Sequence, residues 1–409
     1  MSHGECRNCG ENLEISFCDL GMSPLSNAYL NENNIHKAEM FFPLHAFICE
    51  HCFLVQLEEF ESPENIFVDY AYFSSYSQSW LEHVKSYTEH VTERFNLDSD
   101  SRVFELASND GYLLQYFLEK NIPVTGIEPA GNVADVAIAN GIPTIKKFFS
   151  TILANELVRE DDGADLIVAN NVLAHVPDLH GFIEGIRILL KPNAVVTIEF
   201  PHLLKLLEQN QFDTIYHEHF SYFSLLSVMR IFEKHGLRIF DVDLLPTHGG
   251  SLRIYGCHND SIHVSTSNVD DLLITEKNAG LDNIKIYKEF SNKAVNTKCE
   301  VLSFFVDCKR QNKTVVGYGA PAKGNTLLNY CGIGRELLPY TTDRNPHKQG
   351  QYLPGTHIPI ETPEKIFVTK PDYVFILPWN LRDEIVKDMN VIREWGGKFV
   401  VPIPNIEIF

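Results

Sequence analysis

No stretch of this chain holds the roughly 20 consecutive apolar residues needed to span a bilayer, so no membrane-spanning helix is expected. The N-terminus, Met-Ser-His-Gly-Glu-Cys, lacks a basic head followed by an apolar run. It does not read as a secretory signal, and the cytoplasm is the expected compartment. Internal repeats and low-complexity segments are missing as well. Basic residues are scarce: 34 Lys and Arg stand against 54 Asp and Glu, a formal net charge of −20. Such a chain repels phosphate backbones, so nucleic acid is not an expected partner. An anionic small molecule remains admissible through helix N-termini or a few local Lys and Arg side chains. A disulfide framework is lacking too. The nine cysteines are an odd number, and four fall into two tight pairs, which suits a metal site in a reducing compartment.

What is present is ordinary globular material. With 409 residues, 44% hydrophobic and 22% charged, the chain has two or three domains' worth of core. Three regions separate by pattern, at residues 1–69, 70–257 and 258–409. The first is turn-rich and carries Cys6-Arg-Asn-Cys9 and Cys49-Glu-His-Cys52. Two such knuckles can supply four thiolates in tetrahedral geometry, so Cys6, Cys9, Cys49 and Cys52 are the expected ligands of a structural zinc ion. A closed site of this kind holds a fold and does no chemistry. The alternative is a set of unconnected thiols.

The second region alternates strands and helices, the signature of a parallel doubly wound sheet. Strands are expected at Arg102–Leu106, Val124–Glu128, Ala164–Ala169 and Val195–Phe200, with helices at Tyr112–Lys120 and Leu179–Leu190. Ligands of such sheets sit at the carboxyl ends of strands. The first strand ends in Glu105-Leu-Ala-Ser-Asn-Asp-Gly111 and the second in Glu128-Pro129. A small-residue turn lets backbone approach a ligand, an acidic group can meet a cationic one, and a carboxylate can accept from both hydroxyls of a ribose. No GxGxxG occurs there, which leaves room for a methyl donor without a pyrophosphate. Glu105 and Glu128 can otherwise be solvated strand ends. Phe149 can flank an adenine or pack in the core.

Gln211-Phe-Asp-Thr-Ile-Tyr-His-Glu-His-Phe-Ser-Tyr222 concentrates His, Glu and Tyr in one stretch. Carbon methylation beside a ketone needs a base for a weakly acidic proton and a donor for the enolate oxygen. Histidine suits the first role, and Tyr216 or a second histidine the other. His217 and His219 do not share a helix face and lack the HExxH spacing, so metal binding there is disfavoured. His175 ends another strand; alone, it can equally be a core or cap histidine.

The third region opens with a helical stretch, roughly Asn268 to Lys309. Strands follow at Lys313–Gly317, Pro339–Asp343 and Tyr373–Leu377, marking a second nucleotide-binding-like unit. Gly317-Tyr-Gly-Ala-Pro-Ala322 satisfies GxGxxG/A after a strand and before a helix. By pattern it is a credible NAD site, although Pro321 removes one backbone donor.

Taken together, these motifs look familiar. The two CxxC pairs, Glu105-Leu-Ala-Ser-Asn-Asp-Gly-Tyr-Leu-Leu114, Asn170-Asn-Val-Leu-Ala-His-Val-Pro-Asp178 and Tyr216-His-Glu-His219 resemble the sugar C-methyltransferase family. Thr247-His-Gly-Gly-Ser-Leu-Arg253, Gly317-Tyr-Gly-Ala-Pro-Ala-Lys-Gly-Asn325 and Leu377-Pro-Trp-Asn-Leu381 are similar to further family motifs, in order along nearly the whole chain. The resemblance implies an α/β architecture: a small zinc-binding module, a class I methyltransferase domain binding S-adenosylmethionine, and a second Rossmann-like domain. A nucleotide-linked keto-sugar, dTDP- or GDP-borne, lies between the last two. His219 falls on the family's general base, and Tyr216, Glu218 and His175 on its other catalytic positions. The donor is expected against Glu105, Ala107, Ser108, Asn109, Gly111, Tyr112, Leu113, Glu128, Pro129, Phe149, Asn170 and Asn171. The sugar nucleotide is expected against Tyr72 and Tyr76 of an aromatic lid, and against Tyr222, His248, Gly249, Arg253, Lys323, Asn325 and Arg344. Lys323, Asn325 and the loop amides are expected to cradle its diphosphate. Such a zinc-tethered three-domain chain can work as a monomer.

Overall fold

The structure is a computed structural model that describes residues 4–66 and 73–409. Among these, no helix is long and apolar enough to cross a membrane. Tyr72, expected in the lid, lies outside them.

The N-terminal module holds β1 (Ile15–Ser23), β2 (Phe42–Ile48) and β3 (Val55–Leu57), paired antiparallel in that order. The Cys6 and Cys49 knuckles flank this small sheet. Its two faces are buried against different partners. Phe17 stacks on Phe290 of a long helix at 4.7 Å, whereas Cys6, Leu13, Phe47, Cys49 and Leu54 join the apolar core of the central region.

The central region is built on β4 (Val103–Leu106), β5 (Val124–Ile127), β6 (Thr144–Ile145), β7 (Ala164–Asn170) and β8 (Leu190–Pro201). Then come β9 (Ser221–Tyr222), β10 (Leu237–Leu245) and β11 (Ser251–His258). The sheet order is β10-β11-β8-β7-β4-β5-β6. Its inner strands are parallel, and the near-continuous apolar runs of β4 and β7 fit burial on both faces. The helix Leu179–Leu189 buries Leu179, Phe182, Ile183 and Ile186, one apolar stripe against the sheet. Asp178 caps it by accepting from Gly181 N at 2.9 Å.

The sheet departs from a wholly parallel one at an edge. β10 and β11 run antiparallel to each other, and β11 runs antiparallel to β8. Only residues 246–250 link them, too few for a crossover. The turn is made possible by positive φ at His248, Gly249 and Gly250. β9 leaves this sheet and instead extends the N-terminal one beside β3.

The expected long helix is two: Ser267–Asn278 and Ile284–Arg310, broken around Gly280, whose φ is 89°. The C-terminal sheet comprises β12 (Val315–Tyr318), β13 (Thr341–Thr342), β14 (Ile360–Glu361), β15 (Tyr373–Ile376), β16 (Lys398–Val401) and β17 (Glu407–Ile408). Its order is β14-β13-β12-β15-β16-β17, parallel except for β17.

Candidate active site

Strand order in the central sheet reverses at β4, and there a crevice opens at the carboxyl ends. The turn after β4 is bent by left-handed Ala107 (φ 58°), Asn109 (φ 50°) and Gly111 (φ 80°). A Cβ on Gly111 would lie 2.7 Å from Ile142 Cγ1, so the turn requires glycine. Asn109 N and Ala130 N donate to the Glu128 carboxylate at 2.9 and 2.8 Å, fixing it at the crevice wall. Glu105 is fully buried beneath. Burial raises its pKa well above the usual carboxylate range, more than the Tyr112 hydroxyl lowers it, and Asp110 and Glu128 add like charge. Apart from the Tyr112 hydroxyl, which bears on Glu105 and Asn170, both Glu105 oxygens, Ser108 Oγ and the Asn170 amide are buried without a close hydrogen-bond partner. Unpaired donors and acceptors at the base of this turn fit a polar, amino-acid-like ligand; of them Asn170 lines the crevice, with Glu105 and Ser108 just beneath it. S-adenosylmethionine carries both an ammonium and a sulfonium, and its ribose suits Glu128.

The histidine-rich stretch lies across the crevice. His219 Nδ1 is 3.0 Å from the Thr214 carbonyl oxygen. A carbonyl only accepts, so Nδ1 carries the proton and Nε2 is the basic nitrogen. The Tyr216 hydroxyl donates to that Nε2 at 2.8 Å. His175 repeats the pattern, donating from Nδ1 to the Glu218 carbonyl at 2.7 Å. Its ring meets that of His219 edge-on at 4.8 Å. Burial lowers the pKa of His175 to about 4. Burial, then the nearby His175, pushes His219 well below the usual imidazole value. Both are neutral near pH 7. His217 turns the other way, donating to the Pro43 carbonyl at 3.2 Å, so it and His219 share no metal.

The C-terminal loop closes the third side. Lys323 reaches Asn380 Oδ1 at 2.8 Å and sits 4.5 Å over the Trp379 ring. Burial lowers its pKa, opposed by the Asp213 carboxylate. The loop amides are largely committed. Gly319 N donates to the Thr342 carbonyl, Ala320 N donates to Asp343 Oδ2 at 2.7 Å, and Pro321 has no N–H.

One cavity of ≈ 1290 Å³ joins these three walls. It takes in Ala107, Asn109, Tyr112, Glu128, Pro129, Phe149, Asn170 and Asn171 on the donor side. His175, Tyr216, His219 and His248 face it at the centre, with Lys323, Arg344 and Tyr76 beyond. His248, its pKa lowered to about 4 by burial, lies 3.2 Å from the Asn171 amide. Tyr76 is parallel to His347 at 6.1 Å. Arg344 sits at the rim, paired with Glu384 and Asp388.

Other expected contacts are set back from this cavity. Leu113 is core, and Ser108 and Gly111 support the turn from below. Tyr222 lies behind His219, ring edge-on at 6.0 Å. Gly249 packs on Trp379, where a Cβ would come within 2.6 Å of the ring. Arg253 is locked under the sheet edge, 2.5 Å from Glu199 Oε2 and 4.3 Å over Tyr87. Asn325 donates to the Ser26 carbonyl at 2.5 Å. Sequence reasoning missed Trp80 and His83, which line the cavity from the helix Gln78–Arg94, and Asn27, which reaches it from the N-terminal module. Nothing local in the sequence marks any of the three.

Cys6, Cys9, Cys49 and Cys52 place their sulfurs within 4.8 Å of one another, and none forms a disulfide. Four thiolates converging on one point make a closed zinc site. Among the described residues they are the one cluster of three or more metal-capable side chains.

A doubly wound sheet with an antiparallel edge hairpin, and a donor pocket at its reversal point, define a methyltransferase that uses S-adenosylmethionine. Three family models match the chain in order: a zinc binding domain over residues 6–67, a methyltransferase domain over 80–242, and a C-methyltransferase C-terminal domain over 246–404. The C-methyltransferase NovU of Streptomyces niveus is 36% identical over 401 residues, 98% of this chain and 96% of that one. The chain belongs to the C-methyltransferase family. Among solved structures, magnesium protoporphyrin IX methyltransferase of Synechocystis PCC 6803 with bound SAM matches 44% of this chain and 79% of its own, at 14% identity and a TM-score of 0.33. A SAM dependent methyltransferase from Aquifex aeolicus matches 43% and 97%, at 15% identity and a TM-score of 0.32. At such scores the fold rests on strand order and on the family models.

Proposed function

We propose that this C-methyltransferase adds a methyl group to C3 of a nucleotide-linked 4-keto-6-deoxy sugar, in the biosynthesis of a branched deoxysugar. The observation that carries the reading is the single cavity joining the Glu128 wall to the neutral His219 and on to Lys323. S-adenosylmethionine, when bound, supplies an electrophilic methyl group. His219 Nε2 takes the C3 proton, which the neighbouring ketone has made acidic. Tyr216, released from Nε2, donates toward the enolate oxygen, while His175, whose one N–H is held by the Glu218 carbonyl, packs edge-on against the His219 ring. Lys323 bears on the same point: the positive charge that depresses His219 also favours an anionic enolate. The enolate carbon then bonds to the methyl carbon as the sulfur keeps the electron pair of the broken bond. The nucleotide is held by the C-terminal unit, with Tyr76 over the cavity mouth.

Two other readings are weaker. An NAD-dependent oxidoreductase or epimerase gives no role to the crevice walled by Glu128, and the committed amides of Gly319 and Ala320 leave any diphosphate at this loop, of either ligand, to Lys323 instead of the expected backbone cradle. A sugar-nucleotide-binding protein without catalysis leaves the poised His219–Tyr216 pair unexplained.

The test is mass spectrometry of reactions with S-adenosylmethionine and a panel of dTDP- and GDP-linked 4-keto-6-deoxy sugars in deuterated water. A gain of one methyl on C3 of one sugar, with deuterium entering C3 of the sugar not yet methylated, is the expected result. Methyl on C5, across the same ketone, with deuterium at C5 of the unmethylated sugar, would keep the enolate and reassign the carbon. Donor binding without methylation anywhere would mean the substrate class is wrong. Glu128→Ala, which removes the ribose acceptor, weakens donor affinity by roughly tenfold to a hundredfold, and calorimetry reads it. Unchanged affinity would displace Glu128 from the donor site.

A further inference from the structure

The motif glutamate does not face the cavity. Glu218 is 2% exposed, and Asn27 stands between it and the open space, itself part of the wall. Asn27 Nδ2 lies 2.8 Å from each Glu218 carboxylate oxygen. An ionised carboxylate only accepts, so the nitrogen must be the atom that faces it. The amide is therefore held one way round, and what Asn27 offers elsewhere is the acceptor Oδ1; the Tyr29 hydroxyl lies 3.4 Å from it but gives its proton at the shorter distance to the Ala320 carbonyl. An amide free to rotate would offer donor or acceptor alike.

The arm that carries Asn27 is wedged in place. Tyr29 donates its hydroxyl to the Ala320 carbonyl at 2.6 Å, inside the C-terminal glycine loop. Lys348 donates to the same carbonyl at 2.9 Å and lies 5.2 Å over the Tyr29 ring. Asn325 holds the Ser26 carbonyl. One short segment of the zinc module is thus bonded to the catalytic stretch on one side and to the glycine loop on the other.

We propose that Asn27 contacts the sugar in this active site, accepting a hydrogen bond from a sugar hydroxyl, and that Glu218 acts through it as a positioning residue. The inference rests on the keto-sugar reading above. It makes the N-terminal module a contributor to specificity, because a site built to accept from a hydroxyl discriminates against a sugar lacking it. It also links recognition to pH. Burial raises the pKa of Glu218 to about 7, opposed by Asn27 and by the charge of Lys348. The Tyr29 phenol is the other titratable group bearing on it. Once protonated, Glu218 offers a donor as well as an acceptor and can hold the amide either way round, so the lock loosens on the acid side.

The experiment compares kcat/KM for the methylated sugar nucleotide across pH in the wild type, Asn27→Ala, Glu218→Gln and the double variant, with donor affinity and zinc content measured on each. Asn27→Ala loses about tenfold to a hundredfold in kcat/KM with donor affinity unchanged. The double variant is no worse than Asn27→Ala, since Glu218 works through that residue. The wild type shows an acid limb near pH 7 that Glu218→Gln lacks. Wild-type kcat/KM in Asn27→Ala, or losses that simply add in the double variant, would overturn the proposal. If Asn27→Ala comes without zinc, Asn27→Asp takes its place: two carboxylates in contact must share a proton, so its loss grows with pH, and a flat profile would count against the idea. A wild type that binds donor yet methylates no sugar is a failure of the substrate reading, seen before any variant is made, and the proposal goes with it.

Discussion

Asparagine in place of His219 lowers methyl transfer by about 10²- to 10⁴-fold, the usual worth of a positioned general base. It leaves donor affinity where it was. The reasoning runs from hydrogen-bond chemistry. The Thr214 carbonyl fixes the proton on Nδ1, which leaves Nε2 basic and turned to the Tyr216 hydroxyl. Asparagine can keep the bond to Thr214 but has no nitrogen that accepts a proton. The deficit should therefore lie in proton removal, read as solvent deuterium entering the sugar carbon. Exchange at the wild-type rate in His219→Asn would mean that another group, His175 first, is the base. The pH dependence separates the groups further. Burial keeps His219 neutral far below pH 6.5, and His175 and His248 titrate at about 4. An acid limb near pH 7 is thus not that of these three histidines, and its loss in Glu218→Gln separates Glu218 from the other buried carboxyls, Asp213 and Glu105.

Much of this site is legible in the chain because the relevant signals are local. A buried apolar strand running into Glu105-Leu-Ala-Ser-Asn-Asp-Gly111 places a ligand turn without tertiary information, and two CxxC pairs state a metal site by spacing alone. The signals fail where partners are far apart. Asn27 meets Glu218 across 191 positions, and nothing in Ser26-Asn-Ala-Tyr29 marks it. Motif membership misleads in a second way. Arg253 and Asn325 belong to family-like motifs, yet one neutralises Glu199 beneath the sheet edge and the other ties Ser26 to the glycine loop. A motif shows that a residue matters; whether it touches ligand or holds what does is decided by packing. The edge hairpin shows the same limit, since strand direction there depends on the five-residue link between β10 and β11, which carries no strand signal of its own.

Removing zinc should abolish methyl transfer, even though the metal does no chemistry. A closed Cys₄ site contributes roughly 10–16 kcal/mol of apparent binding energy, comparable to the whole stability of a domain. The small sheet beside it is otherwise held by packing, through Phe17 on one face and Phe47 on the other. What that sheet holds is the catalytic stretch. Arg7, inside the first knuckle, donates to the Phe220 carbonyl at 2.5 Å and to the Leu57 carbonyl at 2.8 Å, and Phe220 follows His219 directly. β3 pairs with β9 immediately beyond it. His217 bonds Pro43 of β2, and Asn27 bonds Glu218. Four connections from one module thus fix both flanks of His219, while the donor turn after β4 has none of these ties. Chelation, or Cys49→Ser, should lower transfer by more than about a hundredfold, with donor affinity changed by less than about threefold, and returning zinc to the chelated protein should restore activity. The measurement is zinc release followed with a chromophoric chelator beside activity and donor calorimetry on the same samples. Activity that outlasts zinc loss would mean that packing of Phe17 and Phe47 holds the module unaided. Donor binding lost in step with zinc would mean that module and sheet unfold as one unit, through the core that Cys6, Phe47 and Leu54 share with the central helices.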